Sequence, residues 1–279
     1  MRETGHVAGI LEKPVDSELE TVSLSSLNTV VRTMGEGPSL LMIQGLGTDH
    51  RAWNPIVEHL APHLRCITFD NRGVGKASPV GGSTTIEDLA DDAAELIEAV
   101  GGGPMHVCGV SLGGGIAMRV AARHPNLVKS LALHSTAARP DPRLLAVLEF
   151  RRQLFVGGVA AQLLRPFVAL WGFSPDKMSR RLPTGAAEID KLSESEYMSH
   201  LRIAAEQWMS DEELAKISAP TLVTVGSDDI LTTPAHARDL LRGIADAHLV
   251  TVEGGGHAYY AEDPAFFASI QLGWVLRHS

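Results

Sequence analysis

Cysteine is almost missing from this 279-residue chain, which has only Cys66 in LRCITFD and Cys108 in MHVCGVS. Each lies within a short apolar run that reads as a buried strand, which argues against a disulfide framework and suits a reducing, cytoplasmic location. Long apolar runs are also lacking. No stretch reaches the ~20 residues that a membrane span needs, and the opening MRETGHVAGILEKPVDSELE has no basic head followed by an apolar segment. Positive charge is scarce, because 24 Lys and Arg stand against 33 Asp and Glu, for a net charge of −9. That balance disfavours nucleic acid, whose phosphates require a basic face, and also a strongly acidic substrate. The chain is expected to be soluble, with no nucleic-acid or membrane partner and with a small molecule as its ligand; oligomeric state leaves no mark in the sequence.

Hydrophobic residues, by contrast, make up 44% of the chain and charged residues 20%, enough for a packed core. Residues 1 to about 18 are polar and aperiodic. ETVSLSSL and NTVVRTM then read as a β-hairpin. From Leu40 onward, short apolar runs alternate with amphipathic stretches: LLMI, a helix through Trp53 to Leu60, RCITFD, a helix over 85–99 opened by Thr85 and Asp88, PMHVCGV, a helix over 112–123, and LVKSLALHS. Strands buried on both faces and joined by helices imply parallel pairing with right-handed crossovers. The alternation stops near Ala138. Residues 139–215 are helical in pattern, without an obvious strand, and read as an inserted cap between two segments of core, 1–138 and 216–279. Strands return at PTLVTVGS and HLVTVEG, around a helix near 235–243, and a helix over 264–277 closes the chain.

One segment carries chemistry plainly. Gly109-Val110-Ser111-Leu112-Gly113 is G-x-S-x-G between an apolar strand and a helix, the setting in which a serine hydroxyl is presented on a tight, strained turn. A serine hydroxyl is a weak nucleophile and needs a base, itself oriented by a third group. Val225-Gly226-Ser227-Asp228-Asp229 offers a carboxylate past one later strand, and Gly255-Gly256-His257 an imidazole past the next.

With these motifs the chain resembles the α/β-hydrolase family from roughly Leu19 to its C-terminus. The strand-end segments Gln44-Gly45-Leu46-Gly47 and Asp70-Asn71-Arg72-Gly73-Val74-Gly75-Lys76-Ala77-Ser78 match its oxyanion loop and its D-x-R-G-x-G-x-S turn. The resemblance implies a mostly parallel eight-stranded sheet flanked by helices, with a helical cap. It also implies Ser111 as nucleophile, His257 as base and Asp229 as acid, with Asp228 the alternative register, and the backbone N–H groups of Leu46 and Leu112 as oxyanion donors. Gln44 stands where the family usually has His, and is expected either to brace the loop or to touch substrate. Arg72 is expected to turn the chain rather than to bind substrate.

The expected activity is cofactor-independent hydrolysis of a carboxylic ester, lactone or thioester through an acyl-enzyme, with no metal. Two other outcomes remain: elimination or cyclisation driven by the His-Asp pair, and ligand binding on an inactive scaffold. The cap aromatics Phe150, Phe155, Phe167, Trp171, Phe173, Tyr197 and Trp208, with Met178, Met198 and Met209, are expected to form the cap's own core and in part an apolar pocket lining. Because Ser111, Asp229 and His257 lie outside 139–215, changes to that segment are expected to alter which substrates are accepted far more than the geometry of the three.

Overall fold

The computed structural model describes residues 17–101, 103–159, 169–181 and 194–279. Eight strands form one sheet: β1 (Ser17–Ser23), β2 (Asn28–Met34), β3 (Ser39–Ile43), β4 (Arg65–Phe69), β5 (Met105–Val110), β6 (Val128–His134), β7 (Thr221–Gly226) and β8 (Ala247–Val252). Their spatial order is β1-β2-β4-β3-β5-β6-β7-β8. β1 pairs antiparallel with β2, closing the expected hairpin at Ser23 and Asn28, and β2 pairs antiparallel with β4. Every later pairing, from β4–β3 to β7–β8, is parallel.

Side-chain alternation explains why the central strands are mainly apolar. Along β3, Leu41 and Ile43 face one core, which contains Leu96, Ile97, Ile116 and Val120; Leu40 and Met42 face a second, which contains Trp53, Leu60, Phe267 and Val275. The first core is covered by α2 (Ile86–Gly101) and α3 (Leu112–Arg123), and the second by α1 (Asn54–Leu60) and the last helix, Pro264–Arg277. A strand buried on both faces accepts few polar groups along its length, and in a parallel sheet the chemistry collects where the strands stop.

The helix starts follow local signals. Thr85 and Asp88 exchange hydrogen bonds before α2: the Thr85 N–H donates to Asp88 Oδ2 (2.7 Å) and the Asp88 N–H to Thr85 Oγ1 (3.3 Å). Between β6 and β7 the described residues are helical: α4 (Pro142–Val156), α5 (Pro175–Arg181), α6 (Glu194–Glu206) and the short α7 (Asp211–Leu214). After β7, α8 (Pro234–Gly243) leads to β8. α9 (Tyr259–Glu262) and α10 (Pro264–Arg277) then end the chain. The single turn α9 lacks enough periodicity to be seen in the sequence.

Candidate active site

The turn between β5 and α3 puts Ser111 at φ +55°, ψ −120°, a conformation disfavoured for any residue with a Cβ. The surroundings impose it. The Ser111 N–H donates to the His134 carbonyl of β6 (3.0 Å), and its own carbonyl accepts from Thr136 Oγ1 (2.7 Å) and the Gly114 N–H (3.0 Å). Close backbone approach is also required: a Cβ on Gly109 would lie 2.2 Å from the Gly113 carbonyl oxygen, and one on Gly113 2.3 Å from that of Ile43. These contacts leave the serine hydroxyl at the strand end.

Ser111 Oγ lies 3.1 Å from His257 Nε2, and His257 Nδ1 lies 2.9 Å from Asp229 Oδ2. Asp229 is 2% exposed. Its Oδ1 accepts the N–H groups of Leu231 and Thr232 (both 2.9 Å), and its Oδ2 accepts Thr232 Oγ1 (2.8 Å). Burial pushes this carboxyl up, but the facing His257 and the hydrogen bonds from His257 and Thr232 outweigh it and hold the pKa below the usual value. An ionised Asp229 fixes the proton on Nδ1, leaving Nε2 to accept from Ser111. Asp228 is exposed and accepts from Ser227 Oγ (3.0 Å). Of the two aspartates, the structure thus brings Asp229 to the imidazole.

Gln44 is buried and bonded within its own loop. Its Oε1 accepts the Gly45 N–H (3.0 Å) and Thr48 Oγ1 (3.1 Å), and its backbone carbonyl accepts Asn71 Nδ2 (3.1 Å). Of the two roles expected of Gln44, these contacts are those of a brace. A Cβ on Gly45 would lie 3.3 Å from Ser111 Cβ, so this loop flanks the serine directly. Leu112 opens α3, where the first N–H groups have no intrahelical acceptor, and among the described residues neither the Leu46 nor the Leu112 N–H meets a partner.

Arg72 does turn the chain. Its Nε and Nη2 donate to the two oxygens of Asp92 (2.9 and 2.6 Å) and its Nη1 to the Ser26 carbonyl (3.0 Å). Asp49, His50 and Asp70 bring ligand-type atoms within 4.8 Å of one another. Their hydrogen bonds explain that cluster. Asp70 accepts from the His50 and Lys76 N–H groups (3.0 and 2.9 Å) and lies 2.6 Å from the His50 ring, and Asp49 accepts from Arg51, so the three residues lock the turns after β3 and β4.

One aromatic of the segment 139–215 departs from expectation. Trp208 is 61% exposed and lies beside Arg139, with ring centroid and guanidinium 5.6 Å apart, so it sits on the outer surface and not over Ser111. Phe167 lies outside the described residues. The insertion is also bonded to the loops that carry the site. The Ala258 N–H donates to the Gly172 carbonyl (2.6 Å), and Glu262 Oε1 accepts the Ser174 N–H (2.6 Å) and, at 3.3 Å, the Gly256 N–H. His200 bonds to the loop of Leu46. Gly172, Ser174 and His200 are therefore bonded to the loops that carry His257 and Leu46. Polar links between segments distant in sequence leave no periodic signal, which is why Glu262 and His200 escape sequence reasoning.

The comparisons agree with this architecture. The chain is 29% identical over 255 residues to a protein of Agrobacterium fabrum named as a carbamate hydrolase, RutD, covering 88% of this chain and 95% of that one. It is 28% identical over 277 residues to a Mycobacterium tuberculosis protein named as a non-heme bromoperoxidase, BpoC, covering 88% and 99%. The enol-lactonase of Burkholderia xenovorans LB400 superposes with a TM-score of 0.82 at 27% identity, over 92% of this chain and all of that one. The description "alpha/beta hydrolase fold" matches residues 38–264, and the chain belongs to the α/β-hydrolase fold family, as one of its enzymes.

Proposed function

We propose that the protein is a serine hydrolase that cleaves a carboxylic ester, lactone or thioester of a largely apolar small molecule through an acyl-enzyme at Ser111. The observation that carries this reading is the continuous chain from Ser111 Oγ to His257 Nε2 (3.1 Å) and from Nδ1 to buried Asp229 (2.9 Å). Among the described residues, the N–H groups of Leu46, in the loop whose Gly45 abuts Ser111, and of Leu112, the residue after the serine, have no partner.

In the first step the Ser111 oxygen bonds to the substrate carbonyl carbon while its proton passes to His257 Nε2. The carbonyl electron pair moves onto oxygen, where the Leu46 and Leu112 N–H groups receive the developing charge. Collapse expels the leaving group, which takes the proton from Nε2 and leaves an acyl-Ser111. Water then repeats the sequence, delivering its proton to Nε2 and returning the serine. Asp229 holds the imidazole in the required tautomer and faces the imidazolium that forms twice per cycle. The two buried free thiols support a reducing, cytoplasmic setting, and burial pushes the Cys66 thiol up to about 12.

The test is a panel of esters, lactones, thioesters and carbamates, with products identified by mass spectrometry and rapidly quenched samples searched for an acyl adduct. The carbamates are included because one relative is named for that chemistry. An adduct on the Ser111 peptide is expected. Turnover with no adduct, persisting above a tenth in Ser111→Ala, would replace hydrolysis by direct proton abstraction at His257.

A further inference from the structure

His200, in helix α6 of the insertion, is fully enclosed at 0% exposure. Its Nδ1 lies 3.4 Å from the Gly47 backbone nitrogen and its Nε2 2.8 Å from the Arg72 carbonyl oxygen. A carbonyl only accepts and a backbone N–H only donates, so the ring is the neutral tautomer with its proton on Nε2. Burial holds this imidazole below its ordinary range, against the opposing pulls of the Arg72 carbonyl and the Glu196 carboxylate.

Three successive N–H groups of the Gln44–Thr48 loop meet different ends. Gly45 donates to Gln44 Oε1 (3.0 Å) and Gly47 to His200 Nδ1 (3.4 Å). Leu46, between them, has no partner among the described residues. The peptide planes before and after the one that carries the Leu46 N–H are thus held, one from within the loop and one by His200.

We propose that His200 is a positioning residue of the oxyanion hole: accepting from Gly47 and donating to Arg72, it clamps the loop after β3 onto the turn after β4 and holds the Leu46 N–H toward Ser111. A residue of the segment 139–215 thereby sets the geometry of the hole through Gly47. This inference rests on the reading of Ser111 as nucleophile and of the Leu46 N–H as donor.

The two bonds can be separated, because an Asn at 200 can place an acceptor near the Nδ1 position and a Gln a donor near the Nε2 position. Full-length wild type, Ser111→Ala, His200→Asn and His200→Gln would be reacted with a fluorophosphonate at a temperature where all are folded. Serine oxygen bonds to phosphorus, the P–F bond breaks, the serine proton leaves through His257 with fluoride, and the phosphoryl oxygen occupies the hole. Wild type should label at Ser111, His200→Gln on the order of 10-fold more slowly or worse, and His200→Asn within about 3-fold of wild type. His200→Gln at the wild-type rate, or equal slowing in both variants, would reduce His200 to packing and leave the serine reading standing. No labelling of wild type at Ser111, or labelling of Ser111→Ala, would remove the serine reading and this inference with it. Should either variant fail to fold, 15N spectra of the wild-type imidazole decide: a proton on Nδ1 of His200 overturns the proposal, and a bare Nδ1 with Nε2–H upholds it.

Discussion

Asp228 and Asp229 are adjacent in the chain and opposite in environment: Asp229 is sealed behind His257 at 2.9 Å, whereas Asp228 faces solvent beside Ser227. Asp229→Asn should cost on the order of 10⁴-fold in kcat, because the amide permits the wrong imidazole tautomer. Asp228→Asn should change kcat by less than about 3-fold. Steady-state rates of both variants on one substrate decide, and equal losses would reassign the acid.

Ser111 holds a conformation that its surroundings impose, at φ +55°. Ser111→Ala and Ser111→Gly should both lose at least about 10³-fold in kcat. Only the glycine variant should gain stability, by about 1–3 kcal/mol in urea unfolding, because removing Cβ relieves the backbone strain. Equal stability of the two variants would place the strain elsewhere.

Glu262 gathers the Ser174 and Gly256 N–H groups and the Ser174 hydroxyl (3.2 Å) in a buried site. Glu262→Gln turns one acceptor toward a donor and should destabilise by about 1–3 kcal/mol. Gly256→Ala should cost a similar amount, since its Cβ would lie 2.5 Å from the Ser174 nitrogen. In a double-mutant cycle, Glu262→Gln and Ser174→Ala should couple by about 0.5–3 kcal/mol in urea unfolding, and additivity would mean that the insertion does not bear on the His257 loop.

His134 predicts a pH dependence of stability. It is enclosed by Gln271, Thr224, Tyr259 and the Phe267 ring, and burial pushes it down to about 4, although the bond to Gln271 pulls it upward. Between pH 6.5 and 4 the unfolded chain binds a proton at this residue that the fold does not, so its contribution is present above 6.5 and falls as pH drops toward 4. The loss is about 3 kcal/mol at most. Urea unfolding of wild type and His134→Gln across this range should show a steeper decline in wild type; parallel curves would mean that the ring protonates in place.

The sequence by itself determined the sheet and the strand-end loops, and pointed to Ser111, His257 and Asp229, with Asp228 as the alternative, as candidate site residues. Those features rest on local rules: strands buried on both faces are mainly apolar, helices show their caps, and G-x-S-x-G needs glycines where backbones cross, as at Gly109 and Gly113. Tertiary structure alone turned Trp208 outward, bound Arg72 to Asp92, and placed Glu262 and His200 against the loops that carry His257 and Leu46. The reason is physical. Burial of apolar faces repeats along the chain and can be read from it, whereas a single hydrogen bond between residues 153 positions apart, as between Gly47 and His200, has no period and exists only once the sheet has brought its ends together.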